Sequence, residues 1–414
     1  MNKLAQISLI AGAAGLATAG SLDMDRSYAA ELRSDSAARD LLNSNAGAGV
    51  QVDVAMRFYY GLNFRDDAGL PNPDDDTTIG FGWDDAEVRL SGDITDNMRG
   101  TISWDFGPSD YPGAAAVALE DAFADWTVND SLTLRVGQFL PQFSAERNTS
   151  EYHMLGAMRS VTFDTVGNPA WTQGIEAHFG GDTWSAAVGF NDGPAAGPGG
   201  FNSSGDADYA FNARFDIFSD SDKARFADQT SWRGSAAGWR IGAGLIYATY
   251  GDTNPSGTSL ESDSLWYTID GAYEGDGWSV RAAFYGANTD PNVGNSTDDY
   301  GFEIGASMFF NDQWEGFLRW DTLLLDDVNL AATSEDTYNF LSGGFNYYFV
   351  PESHAAKFTF SVAYAFDATT GTEGAFDDAG FAAPTGFGPF GTSGFLGSQD
   401  DGELMITALM SLMF

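Results

Sequence analysis

The sequence predicts an all-β fold, a transmembrane antiparallel β-barrel of sixteen strands with short periplasmic turns and long acidic external loops. Three observations carry this expectation. The chain ends on a strand, Glu403 to Phe414, in which Leu404, Ile406, Ala408, Met410, Leu412 and Phe414 are apolar at every second position, so one face meets an oily medium. The same period of two recurs along the whole body of the chain. After the first nineteen residues no segment offers the roughly 18 consecutive apolar residues a membrane helix requires, which leaves any spanning to strands.

Residues 1–19 read as a signal peptide, with Lys3, an alanine-rich apolar stretch and a small-x-small site at Ala17-Thr18-Ala19. Cleavage as late as Ala29, in Ser27-Tyr28-Ala29, fits the same pattern. Residues 20–48, with Glu31-Leu32-Arg33 and Ala37 to Leu42, read as a short polar helix or tether in the periplasm. A barrel domain then occupies 49–414.

Within that domain Val50, Val52, Val54, Met56 and Phe58 alternate with Gln51, Asp53 and Arg57. Tyr209 to Ile217, Trp239 to Tyr247, Phe302 to Phe310 and Phe358 to Phe366 repeat the pattern. Tight turns at Asp96-Asn97, Asn129-Asp130, Gly180-Gly181-Asp182, Gly275-Asp276-Gly277 and Asn311-Asp312 are interleaved with long acidic, Gly- and Pro-rich loops. Strands placed between them begin near residues 50, 79, 100, 118, 131, 171, 183, 208, 238, 264, 277, 299, 313, 337, 356 and 403. An even number returns both ends to the short-turn side, and a ring of this size encloses water. One connection, Ser219 to Gly238, is longer than the others on its side. The terminal Phe414 reads as a membrane-insertion signal.

Composition narrows the partners. With 19 basic and 59 acidic residues the net charge is −40, which repels nucleic acid and anionic surfaces. Absence of cysteine removes disulfides and thiolate metal sites. No cofactor is expected. Acidic clusters such as Asp74-Asp75-Asp76 could bind Ca²⁺ or Mg²⁺ through carboxylates, but none has the spacing of a defined calcium loop, and solvated acidic surface is the better account. Only His153, His178 and His354 could serve as general bases, none in a recognisable Ser-His or His-metal spacing. An enzyme is therefore not expected.

The longest early excursion, Leu140 to Ala170, holds Glu146, Arg147, Glu151, His153, Arg159 and Asp164. Folded into a lumen, such opposed charges would create a transverse field that sorts solutes. Around it, Val136-Gly137-Gln138-Phe139-Leu140-Pro141-Gln142-Phe143-Ser144-Ala145-Glu146, then Thr149-Ser150, Met158-Arg159-Ser160 and Gln173-Gly174-Ile175-Glu176, with Asp121 to Trp126 ahead, resemble the phosphate-selective porin O and P family. The resemblance is close from Leu119 to Asn191 and implies a sixteen-stranded barrel in the cell outer membrane, usually a homotrimer, with its third external loop folded inward.

Eight cations, Arg57, Arg89, Arg135, Arg214, Arg240, Arg281, Arg319 and Lys357, fall on the polar parity of strands and point into the lumen. The same parity carries Asp53, Glu87, Asp105, Asp125, Glu176 and other carboxylates, so the wall is mixed rather than basic. The expected function is passive diffusion of ions and small hydrophilic solutes through a water-filled channel. Glu146, Arg147, Glu151, Arg159 and Asp164 would line its constriction at 140–170. A phosphate- or anion-selective channel is the alternative within this class. A structural or adhesive outer-membrane barrel with a plugged lumen is the alternative outside it.

Overall fold

Sixteen strands pair antiparallel in sequence order, and the first closes on the last. The computed structural model describes residues 50–66, 76–106, 117–196, 205–251, 261–327, 335–369 and 395–414. The segments expected as signal peptide and periplasmic tether, and Asp74 and Asp75, lie outside them. The strands are β1 (Gln51–Arg65), β2 (Thr77–Thr95), β3 (Met98–Asp105), β4 (Ala118–Asn129), β5 (Leu132–Phe139), β6 (Thr172–Gly180), β7 (Trp184–Asn191) and β8 (Tyr209–Phe218). They continue as β9 (Gly238–Tyr250), β10 (Ser262–Gly275), β11 (Trp278–Pro291), β12 (Thr297–Phe309), β13 (Trp314–Leu324), β14 (Thr337–Tyr348), β15 (Ala356–Ala365) and β16 (Glu403–Met413). Each begins within two residues of its expected position.

Closure rests on the terminal strand. Its register runs from Ala55 against Met413 to Arg65 against Glu403, and Phe414 exchanges two backbone hydrogen bonds with Val54, at 2.8 and 2.9 Å. A closed ladder leaves no edge of unpaired amides, which is the condition for strands to sit in hydrocarbon. The outward parity is apolar: Val136, Ile175, Val188, Ile241, Ile269, Ile304 and Leu318 are all exposed. Rings frame this band at both rims, as membrane interfaces favour. Trp184, Trp239, Tyr273, Trp278 and Trp314 mark the short-turn end, and Phe81, Tyr209, Phe211, Trp320 and Phe366 the long-loop end.

The inward parity departs from a wet wall on β1 and β16, where Tyr59, Met405 and Leu409 pack against Ala157 and Met158 of the β5–β6 connection, and more extensively on the far side. On β9 to β15 near the long-loop end, Ile246, Tyr285, Leu323, Tyr338, Phe340 and Ala365 are buried, and they form one apolar cluster with Phe143, Val161, Phe163 and Val166 from the β5–β6 connection. That connection therefore lies inside the barrel.

Candidate functional site

The inward loop begins at Leu140, where β5 ends, and is rigidified by two short helices. In α1 (Ala145–Asn148) the Ser144 hydroxyl accepts from the Arg147 amide at 3.0 Å, and in α2 (Val161–Val166) the Ser160 hydroxyl accepts from Phe163 at 2.9 Å. Glu146 joins them, accepting from the Ser160 amide at 2.8 Å and its hydroxyl at 3.1 Å. Phe143 and Phe163 are fully buried, which at about 1.5–3 kcal/mol each ties the loop to the far wall. Gly244 of β9 and Gly301 of β12 give it room, since a Cβ there would collide with the Phe143 carbonyl and the Thr162 side chain.

Four of the eight inward cations hold the loop by its backbone. Arg214 donates to the Phe143 carbonyl at 2.6 Å. Arg319 donates to Met158 and Arg159 at 3.1 and 3.0 Å, and Lys357 to Tyr152 and Met154 at 2.8 and 2.7 Å. Arg57 donates to the Ala157 carbonyl and pairs with both Asp84 and Glu151 at 2.6 Å. A hydrogen bond from a charged donor contributes about 1.5–3 kcal/mol, so these cations act first as anchors. Three others sit beside wall carboxylates: Arg89 by Asp121 at 3.8 Å, Arg135 by Asp125 at 2.8 Å and Arg240 by Asp270 at 3.1 Å. Arg281 shares a cavity of about 30 Å³ with Glu146, Asp270 and Glu303.

Between the loop and β1 to β4 the barrel stays open as a cavity of about 360 Å³. From the strands come Arg57, Asp84, Asp85, Glu87, Asp105 and Glu120; from the loop side come Arg147, Glu151, Arg159 and Trp171. Six carboxylates thus meet three guanidiniums. Arg57 and Arg159 are engaged with Asp84 and Glu151, and the third guanidinium, that of Arg147, lies 4.9 Å from the Trp171 ring centre.

Of the five loop residues expected at the constriction, Arg147, Glu151 and Arg159 come together here. Glu146 does not; it is turned to the opposite side of the loop, into the Arg281 cavity. Asp164 sits on α2, where Asn168 donates to it at 3.4 Å, and lines neither opening. Asp84, Asp85 and Glu120 are the lining residues that alternation misses. The aspartate pair lies at a bulge: Arg57 faces Asp85 while Phe58 faces Trp83, so Asp84 is the extra residue and consecutive carboxylates both reach the lumen. Two adjacent charges inside a strand that otherwise alternates were the available signal. Among the described residues no group of three or more metal-ligating side chains gathers.

Glu151 is the hinge of the charge pattern. Burial alone would raise its carboxyl, but the guanidiniums of Arg159 and Arg57 outweigh that and hold it at about 2. Because the folded value lies below the ordinary value near 4.3, the pairing stabilises the loop above that value and is lost only as pH falls through about 2. Single-channel current noise should therefore gain nothing from loss of the Glu151 pairing between pH 7 and pH 3, whereas Glu151→Gln should be noisier than wild type at both.

Comparison with known proteins agrees with this architecture. The family model for the phosphate-selective porin O and P matches residues 58–225, spanning β1 to β8 and the inward loop. The anion-selective porin from Comamonas acidovorans superposes with a TM-score of 0.56 at 12% identity, covering 88% of this chain and 99% of its own. The outer membrane channel DcaP of Acinetobacter baumannii gives 0.55 at 12% identity over 89% and 98%. Pseudomonas putida OprB gives 0.56 at 9% over 89% and 94%. No curated protein matches the sequence. The barrel and its family signature define an outer-membrane porin, a channel for passive diffusion in the cell outer membrane. Over residues 58–225 the chain is similar to the phosphate-selective porin O and P family.

Proposed function

We propose that this porin passes small hydrophilic solutes with a preference for cations, and that its constriction is the opening between the inward loop and β1 to β4. The excess of carboxylates over guanidiniums at that opening carries the reading. Negative charge in a narrow, partly desolvated passage concentrates cations and repels anions. The inward cations, which in a phosphate channel would face the permeant ion, are spent here on loop carbonyls and wall carboxylates. Nothing is transformed; the solute's own gradient drives it.

The same reading covers assembly as a homotrimer, its long loops outside the cell. Strands β3, β5 and β7 have only eight residues, fewer than the roughly 9–11 a tilted strand needs to cross hydrocarbon. That low stretch of wall suits contact with neighbouring subunits rather than lipid.

The deciding measurement is the zero-current potential of the purified protein in a planar bilayer under a KCl gradient. The expected sign is that of K⁺ preference, approaching but not reaching the roughly 59 mV per tenfold gradient of a perfectly selective monovalent channel. Anion preference with block by added phosphate would replace this reading with the anion-selective one. An absence of current would favour a plugged barrel.

A further inference from the structure

We propose that the connection between β8 and β9, residues 219–237, is a strut that fixes the inward loop from the short-turn mouth, with Gln229 as a positioning residue for the constriction. Gln229 lines no part of the 360 Å³ opening. The inference rests on that opening being the constriction.

Closing an antiparallel hairpin needs as few as two residues, and the other connections at this end use two to seven. This one uses nineteen. Its middle is not a solvated loop: Phe226 is 8% exposed, Thr230 and Ser231 2% each. The segment is built into the wall below the loop. Ser231 donates to the Gly275 carbonyl at 2.5 Å, Ser279 donates to the Gln229 carbonyl at 3.2 Å, and the Thr230 hydroxyl lies 3.1 Å from that of Tyr348. The Trp232 ring wedges among Tyr348, Phe309 and His354, with centroids 4.8, 5.4 and 5.2 Å away.

From this footing Gln229 reaches the tip of the inward loop with both ends. Its backbone amide donates to the His153 carbonyl at 3.2 Å, and its side-chain oxygen accepts from the Leu155 amide at 3.0 Å. Beside it the Asp228 carboxylate stands 3.4 Å from His354, whose ring lies 4.6 Å from that of His153. The gripped turn, Glu151–His153, is the one that carries Glu151 into the opening. Lys357 holds the carbonyls of Tyr152 and Met154 from the β15 wall. Held from the side by Lys357 and from below by Gln229, the turn keeps Glu151 in place against Arg57 and Arg159. A side chain with no contact to the passage thereby sets its width.

The test compares Gln229→Ala with Gln229→Glu, which keeps the acceptor for Leu155, in the full-length protein. Barrel closure is checked by its heat-shifted electrophoretic migration. Gln229→Ala should close normally, speed amide hydrogen exchange at Leu155 tenfold or more, and raise single-channel current noise several-fold with added sub-conductance steps. Gln229→Glu should match wild type in both. Replacing 221–236 by a two-residue turn should reproduce or exceed the alanine phenotype. Unchanged exchange and noise in Gln229→Ala would overturn the proposal, as would its failure to close, which would make Gln229 a barrel-building residue instead. Exchange at Leu155 does not depend on ion preference, so a wild-type channel lacking cation preference would refute the selectivity reading alone.

Discussion

Replacing Asp85, Asp105 and Glu120 together by lysine is expected to reverse the sign of the zero-current potential. The opening carries six carboxylates and three guanidiniums, so three reversals take its formal lining charge from −3 to +3. A unit charge about 6 Å from a permeant ion is worth roughly 0.7 kcal/mol in bulk water and about 3 kcal/mol in the partly desolvated surroundings of a protein wall. Either value, summed over three sites, exceeds the 1.4 kcal/mol that changes a partition ratio about tenfold. The reversal should be largest in dilute salt, because the screening length is about 10 Å at 0.1 M and about 3 Å at 1 M. Asp96→Lys, on the exposed turn after β2, should leave the potential unchanged. A triple variant that closes normally and keeps the wild-type sign would remove β2 to β4 from the selectivity filter.

That three of the decisive carboxylates escape simple alternation shows where the reading of this sequence stops. Strand positions are legible because lipid on one side and water on the other impose a two-residue period that the strands obey outside their bulges, down to Phe414. The short turns are legible because Asn, Asp and Gly mark them; Asn311, whose side chain accepts from the amides of Gln313 and Trp314, is one such case. The inward course of residues 140–170 is suggested by the resemblance but not by composition, since a solvated external loop could carry the same charges. Its cause lies in residues distant in sequence: an apolar patch at Ile246, Tyr285, Leu323 and Phe340, with a smaller one at Tyr59, Met405 and Leu409, on the parity that is otherwise largely polar. Those side chains look like ordinary barrel residues until Phe143 and Phe163 are placed against them.

The inward cations teach the same lesson in electrostatic form. Parity places Arg57, Arg214, Arg319 and Lys357 in the lumen, where they belong because charge facing lipid costs about 2–4 kcal/mol at mid-membrane. Parity says nothing about whether they face solute or protein. Only the folded loop, with carbonyls at Phe143, Tyr152, Met154, Ala157, Met158 and Arg159 aimed at them, converts a candidate anion path into a set of anchors. The length of the 219–237 connection was likewise visible, but its contact with His153 and Leu155 spans more than seventy residues of sequence.

Arg57→Gln is expected to act in the opposite sense to the lysine triple variant, raising cation preference a few-fold while making the channel unsteady. Arg57 is 3% exposed and serves three acceptors at once: Asp84, Glu151 and the Ala157 carbonyl. Removing one partner of a buried pair costs about 3–5 kcal/mol, mainly because the other charge is left uncompensated. Here two carboxylates lose that partner, though Glu151 keeps Arg159 at 3.1 Å. The barrel itself should persist, since none of the ladder hydrogen bonds involves this side chain. The cost falls on the inward loop between Glu151 and Ala157, which Arg214, Arg319 and Lys357 still tether at other points. Single-channel records should therefore show frequent partial closures around a conductance near that of wild type, and the lining charge, now six carboxylates against two guanidiniums, should favour K⁺ more strongly. Adding Glu151→Gln should quiet the channel partly by removing one stranded charge, with a coupling between the two changes that a double-mutant cycle on closure frequency measures. A steady Arg57→Gln channel with wild-type preference would mean that the Arg57–Glu151 pair neither holds the loop nor sets the field at the opening.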